Sequence, residues 1–202
     1  MSEGRTVPSG RAVGAGIAAL SVIVLSLNMR PVMSSIPPLT SDIEGATGWS
    51  PALLGLVTTL PVVCMAVFAP LVPRWASRWG RTTVCTAALG LIVIATAARA
   101  FAGAMPWLLP VTAVIGGVGI ATGSGLIPAV IREWFPDRIG TLTGVYTGSM
   151  IFGAALGAGI SVPLMHLMGS WPDALAFWAL PAAGAGVVWL LVAMRHRSHE
   201  HQ

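Results

Sequence analysis

Six long apolar segments divide this chain of 202 residues and limit the folds open to it. A membrane-spanning helix needs about 20 consecutive apolar residues. The segments cover residues 12–39, 51–72, 82–102, 107–131, 139–167 and 174–194. Only 9 % of the residues are charged, whereas a water-soluble domain has about a quarter. The sequence therefore predicts an all-α membrane protein, with six transmembrane helices in one domain.

The arginines predict the orientation of the six spans. The chain has no lysine, and nine of its eleven arginines lie in the N-terminal tail, between spans two and three, between spans four and five, and after span six. By the positive-inside rule these segments, and hence both termini, are cytoplasmic. We expect a cytoplasmic tail over residues 1–11, a transmembrane domain over 12–194 and a second cytoplasmic tail over 195–202. Anionic lipid, and not nucleic acid, accounts for the basic composition.

Arg30 is an exception to this distribution, because it lies inside the first span. A guanidinium within the membrane costs about 2.5–3.5 kcal/mol on insertion scales. Ser34 follows one helical turn later and shares a face with Arg30, whereas Asn28 lies on another face. Two interpretations remain open: Arg30 extends outward to the membrane surface, or it binds an anionic or strongly polar ligand through its planar fork of donors.

A few other polar side chains occur within the apolar segments. Each hydroxyl can bind a solute, or it can simply bond back to its own helix. These residues are Thr58 and Thr59 in span two, Ser124 in span four, and Tyr146 and Thr147 in span five. Arg99, near the outer end of span three, is interpreted as an anchor that extends to the membrane surface.

The sequence gives no sign of an enzyme or a metal centre. Ser124 lies in a Thr-Gly-Ser-Gly stretch that lacks the first glycine of the GxSG motif of intramembrane serine proteases, and span six has no histidine. The chain contains no CxxC or HExxH motif, and three of its four histidines follow Arg195. We therefore expect no catalytic residue, no metal and no cofactor.

Glycines at intervals of four predict close helix packing, because no side chain then holds the two backbones apart. The alternative interpretation is that these glycine faces let the helices rock during a conformational cycle. Span five carries two such sets, one at Gly140, Gly144 and Gly148, and one at Ser149, Gly153, Gly157 and Ser161. Span four is also rich in glycine between residues 116 and 125.

The connection between spans two and three resembles a signature of the major facilitator superfamily. Residues 73–81 read PRWASRWGR, whereas the superfamily has G-x-L-A-D-R-x-G-R. Arg78, Gly80 and Arg81 match and would belong to a gating loop. Pro73 replaces the first glycine and Ser77 replaces the aspartate, which puts the usual charge network of this loop in doubt.

Within that superfamily the chain is similar to the cyanate and 2-nitroimidazole transporter branch. The similarity rests on six stretches in order along the chain: NMRP at 28–31, LVTTLP at 56–61, FAP at 68–70, LIPA at 126–129 with FP at 135–136, LTGVYT at 142–147 and ALAFWALP at 174–181.

This resemblance implies the N-terminal half of a twelve-span transporter in a bacterial cytoplasmic membrane, built as two inverted three-helix repeats. Spans one and four would line a central cavity, and transport would proceed by alternating access against a second six-helix half. Arg30 would bind the negative end of a small solute. The other expected substrate-binding residues are Asn28, Ser34, Thr58, Thr59, Ser124, Tyr146 and Thr147. The alternative is a truncated, inactive remnant or a membrane scaffold that does not transport.

Overall fold

A computed structural model describes residues 9–200, and all regular structure in that range is helical. The helices are α1 (Ser9–Met29), α2 (Pro31–Ser34), α3 (Thr40–Thr47), α4 (Pro51–Phe68), α5 (Val72–Trp79), α6 (Arg81–Ala98), α7 (Leu108–Trp134), α8 (Ile139–Met168), α9 (Trp171–Ala176) and α10 (Ala179–Glu200). Short 3-10 turns follow α2, α4, α6 and α7.

These helices form six stretches that are long and apolar enough to cross a membrane, which confirms the predicted number of spans. They are Ala19–Thr47, Pro51–Trp79, Arg81–Phe101, Leu108–Trp134, Pro136–Met168 and Trp171–Met194. Span two is longer than predicted, because the expected polar connection at 73–81 folds mostly as α5. The described helix α10 likewise continues to Glu200, so the expected C-terminal tail begins as helix. Residues 1–8 of the expected N-terminal tail lie outside the described residues.

Span one breaks earlier than the sequence suggested. Consecutive prolines at 37 and 38 predict that the first span ends or bends there, and a 3-10 turn does begin at Pro37. The main break, however, lies between α1 and α2, where Pro31 follows Arg30. Proline lacks an N–H and removes one helical hydrogen bond, so the helix axis can change direction at this point.

The packing of the spans has internal symmetry. The principal contacts join span one to spans five and six, span four to spans two and three, and span three to span six. Exchanging spans one, two and three with spans four, five and six leaves this pattern unchanged. Successive spans run in opposite directions, so the repeats that begin with spans one and four are inverted relative to each other. The bundle is therefore two inverted three-helix repeats.

Burial differs strongly between the spans. Span four is the most enclosed, with 61 % of its most apolar stretch buried inside the chain. The corresponding values for spans two and five are 22 % and 17 %. Spans two and five therefore present broad apolar faces that the rest of the described chain leaves uncovered.

The glycines of span four pack as predicted. A Cβ atom at Gly117 would lie 2.7 Å from the Cα of Pro61 in span two, and one at Gly119 would lie 2.8 Å from the Ala88 carbonyl oxygen in span three. Neither backbone can retreat without moving its span. Glycine is therefore what lets span four lie so close to spans two and three.

The two glycine sets of span five behave differently. Gly153 and Gly157 pack against span one, where an added Cβ would overlap the Leu27 carbonyl and the Ser34 hydroxyl. The set at residues 140, 144 and 148 has open space beside it. Of the two predicted packing faces, only the one that carries Gly153 and Gly157 is therefore occupied within the described chain.

Candidate functional site

The break in span one positions Arg30. Because Pro31 has no N–H, the Leu27 carbonyl lacks the donor that a continuous helix would provide four residues later. Beyond the break, the Arg30 carbonyl accepts the N–H groups of Met33 and Ser34, both at 3.0 Å. Two helical segments therefore meet at the residue that carries the charge.

The Arg30 side chain is half-buried beside the break. Its guanidinium interacts electrostatically with the hydroxyl of Tyr146, whose side chain is only 6 % exposed. The buried Ser124 hydroxyl lies close to the same phenol, without satisfying the geometry of a full hydrogen bond. Within the described part of the chain, no carboxylate forms an ion pair with Arg30. The structure thus brings two of the predicted residues, Ser124 and Tyr146, toward the unpaired cation of Arg30 in the described part of the chain.

Asn28 and Ser34 flank this cluster along span one. The Asn28 side-chain amide donates to the Val24 carbonyl at 2.8 Å, which leaves its amide oxygen as an acceptor. The Ser34 hydroxyl donates to the Arg30 carbonyl at 3.2 Å. Both side chains are therefore held by their own helix, next to the break.

The three predicted threonines bond to their own helices and, among the described residues, do not contact the cluster around Arg30. Thr58, Thr59 and Thr147 each donate a hydrogen bond of 2.9 Å to a carbonyl of their own helix. None of the described contacts links them to Arg30. Thr59 and Thr147 are exposed on spans two and five, the spans whose faces are uncovered.

Arg99 does not extend to the membrane surface, so that prediction was wrong. Its side chain is fully buried, at 0 % exposure. Nη1 donates to the Val32 carbonyl at 2.6 Å, and Nε donates to the Thr112 hydroxyl at 3.3 Å. The physical reason is that α9 packs over the end of span three and closes the outward path.

The predicted gating residues lie where span two ends and span three begins. Gly80 ends α5 with φ 84° and ψ 142°, a backbone conformation that L side chains rarely adopt, and α6 begins at the next residue. Arg81 forms an ion pair with Glu133 at the end of span four. The Arg78 guanidinium lies 5.9 Å from the ring centroid of Trp79. The ion pair connects the start of span three to the end of span four.

Comparison with known proteins identifies the family. The sequence profile described as "Major Facilitator Superfamily" matches residues 15–202. This chain belongs to the Major Facilitator Superfamily. The family and the relatives described next are transporters and not enzymes.

Three curated relatives of this facilitator chain are bacterial. The chain is 35 % identical over 182 residues to an uncharacterized transporter of Bacillus subtilis. It is 32 % identical over 188 residues to the cyanate transport protein of Escherichia coli, and 35 % identical over 181 residues to the 2-nitroimidazole transporter of the same species. The alignments cover 90 %, 91 % and 89 % of this chain, but 44 %, 47 % and 44 % of the relatives. The facilitator chain spans about half the length of these relatives, and corresponds to their N-terminal half.

A solved structure supports the fold. The crystal structure of a D-xylose–proton symporter superposes with a TM-score of 0.67, over 93 % of this chain and 52 % of the symporter. The two sequences are 16 % identical over that match. The likeness shows that the facilitator chain adopts the superfamily's fold.

Sequence reasoning missed Glu133 in this facilitator chain. Ser77, which stands where the superfamily signature has aspartate, donates its hydroxyl to the Arg74 carbonyl at 2.9 Å and pairs with no charge. Glu133 provides the carboxylate for Arg81 instead. The available signal was an acidic residue at the end of span four, on the side of the bundle where the arginines collect.

Proposed function

We propose that this chain forms one half of a secondary transporter that moves a small anionic or strongly polar solute by alternating access. The observation that carries the proposal is the cluster of Arg30, Ser124 and Tyr146, which come from both three-helix repeats. A cation held inside a bundle with no carboxylate beside it favours a ligand that brings its own negative charge. Hydroxyls from the opposing repeat add directional hydrogen bonds.

The chemistry of this cluster fits the solutes in the relatives' names. Cyanate is a compact anion, and 2-nitroimidazole carries a polar nitro group. The planar guanidinium of Arg30 can donate two parallel hydrogen bonds to the two oxygens of a nitro group, and it can pair with the charge of cyanate. Further hydrogen bonds would come from the other proposed binding residues, which are Asn28, Ser34, Thr58, Thr59 and Thr147.

A second six-helix bundle completes the proposed mechanism. Spans two and five leave apolar faces uncovered, and the chain spans about half the length of its relatives. A second bundle against these faces would enclose the solute, and rocking of the two bundles would expose the site to each side alternately. Both termini would lie in the cytoplasm, where the arginine-rich segments face the negative surface of the inner leaflet of a bacterial membrane.

Uptake by reconstituted protein tests the proposal. The chain is placed in proteoliposomes, alone and together with the C-terminal half of the cyanate transport relative, and entry of radiolabelled cyanate is measured. We expect Arg30→Gln to lower uptake at least about tenfold, because the loss of one charge-assisted hydrogen bond costs about 1.5–3 kcal/mol. Arg30→Lys retains the charge without the fork and should give an intermediate rate.

The matched control is Arg132→Gln, an equal loss of charge at an exposed arginine. It should insert and transport as the unchanged chain does. Equal uptake by the Arg30→Gln and Arg132→Gln variants would remove Arg30 from the site. No uptake of either cyanate or 2-nitroimidazole in either reconstitution would favour the inactive or scaffold alternative.

A further inference from the structure

Arg99 is a buried cation that the proposed binding site does not use. It lies in the turn that ends span three and is completely enclosed by the bundle. Its contacts reach two other spans, at the Val32 carbonyl of span one and the Thr112 hydroxyl of span four. Its Nη2 atom has no hydrogen-bond partner among the described residues. No ion pair therefore accounts for the burial of this charge.

The break in span one provides the reason for this arrangement. In a continuous helix, the N–H of Ile36 would donate to the Val32 carbonyl. That bond is not formed here, because the helix gives way to a 3-10 turn at Pro37. A buried carbonyl without a donor is costly. Nη1 of Arg99 supplies the missing donor at 2.6 Å.

The contact between Arg99 and Val32 lies close to Arg30 along span one. Val32 is two residues beyond Arg30, within the short helix α2 that follows the break. Its side chain also packs against Gly116 of span four, where an added Cβ would lie 2.7 Å from the Val32 Cγ1 atom. Arg99 and Gly116 therefore hold α2 from two sides. The orientation of α2 in turn sets the direction in which the Arg30 side chain points.

We propose that Arg99 is a positioning residue: it caps the open Val32 carbonyl, fixes α2 against spans three and four, and thereby holds Arg30 toward Tyr146. The significance of this role for solute binding rests on the proposed function. The contact itself does not depend on any solute, so it can be measured separately.

Two readouts test the contact on the full chain in lipid nanodiscs. The first is hydrogen–deuterium exchange, followed by mass spectrometry of peptides from residues 30–40 and 51–68. The second is the rate at which phenylglyoxal, an arginine-specific reagent, modifies Arg30. We expect Arg99→Met to raise exchange in 30–40 at least tenfold and modification of Arg30 at least threefold. Exchange in 51–68, within span two, should change less than twofold.

Milder variants keep the test decisive if Arg99→Met does not insert. Arg99→Lys can reach only one of the two acceptors, and Thr112→Val removes one acceptor with little change of shape. Both should move the two readouts in the same direction by about twofold to fivefold. Arg132→Met, the same change at an exposed arginine, should leave both readouts unchanged. Exchange that rises equally in all spans, or not at all in 30–40, overturns the positioning role.

Uptake kinetics separate this proposal from the proposed function. If Arg30 binds the solute, Arg99→Lys should raise the KM for cyanate at least fivefold with less than a twofold change in kcat. An altered exchange pattern with an unchanged KM would overturn the link to binding. Uptake that is insensitive to Arg30→Gln would instead overturn the proposed function, and the exchange and labelling results would still decide the role of Arg99.

Discussion

The hydroxyl of Tyr146, on span five of the second repeat, interacts with Arg30 of the first repeat. The ring is buried in the core beside spans one and four, while the hydroxyl faces Arg30 and Ser124. A buried aromatic body with a polar tip can support packing and binding separately. Removal of the hydroxyl alone therefore tests the binding role without removing the packing.

We expect Tyr146→Phe to lower cyanate uptake about threefold to tenfold, since a neutral hydrogen bond is worth about 0.5–1.5 kcal/mol. The melting temperature should change little, because the ring still fills its site. Uptake and thermal unfolding of the same preparation provide the two measurements. Thr141→Val, at an exposed position of span five, is the control for loss of a hydroxyl. Normal uptake by Tyr146→Phe would place the hydroxyl outside the solute's reach.

The directions in which Arg30 and Arg99 point could not be predicted from the sequence. Arg30 and Arg99 are both arginines bordered by apolar residues, and hydropathy assigns them the same cost. Arg30 is half-buried beside a phenol, whereas Arg99 is enclosed by three spans. That difference depends on which neighbours pack over each residue, and it becomes visible only in the assembled bundle.

At the level of helices, the two glycine sets of span five give a matched pair of substitutions. Gly153→Ala would drive a methyl group into the Leu27 backbone, whereas Gly148→Ala meets open space. Overpacking costs about 1–3 kcal/mol, while alanine in place of an exposed helical glycine gains about 0.5–1 kcal/mol. Thermal unfolding of the chain in detergent should therefore show a lower melting temperature for Gly153→Ala and an equal or higher one for Gly148→Ala. Equal melting temperatures for the two variants would contradict the packing of span five on span one.

The ion pair between Arg81 and Glu133 joins the ends of spans three and four, and a charge exchange tests it. Both side chains are half exposed, so the pair should contribute less than about 1 kcal/mol to stability. We expect Arg81→Glu and Glu133→Arg each to lower the uptake rate severalfold by repulsion, and the double exchange to restore most of it. Thermal unfolding of the four proteins should differ little. Failure of the double exchange to recover uptake would mean that the pair does not act as a gate.

The residues at which helices end were harder to predict than the number of spans. The apolar lengths predicted all six spans, yet residues 73–81 fold mostly as α5, where a polar connection was expected. Pro73 does not interrupt α5, because proline is compatible with the first turn of a helix. The arginines and tryptophans of α5 can also occupy the polar boundary of a membrane without ending the helix.

At the level of the whole molecule, the number of spans followed from composition but their arrangement did not. The side of a span that faces lipid is as apolar as the side that faces another helix. Hydropathy therefore cannot distinguish the two sides. The order of packing was available only through the family resemblance. The structure adds that spans two and five each keep a broad face that no other part of the described chain covers, although their residues are as apolar as those of the buried spans.

That unequal burial predicts where a second bundle binds. Ile151 on span five and Ile94 on span three are similarly exposed, at 64 % and 61 %. Span five has an uncovered face, whereas span three packs between spans four and six. We expect Ile151→Cys to form a cross-link in membranes with a short bifunctional maleimide, and Ile94→Cys to remain mostly uncross-linked.

The native Cys64 and Cys85 are buried and should react slowly. Mass spectrometry of the product then distinguishes a C-terminal half from a second copy of this chain. Equal cross-linking at both positions would mean that the uncovered face of span five has no specific partner.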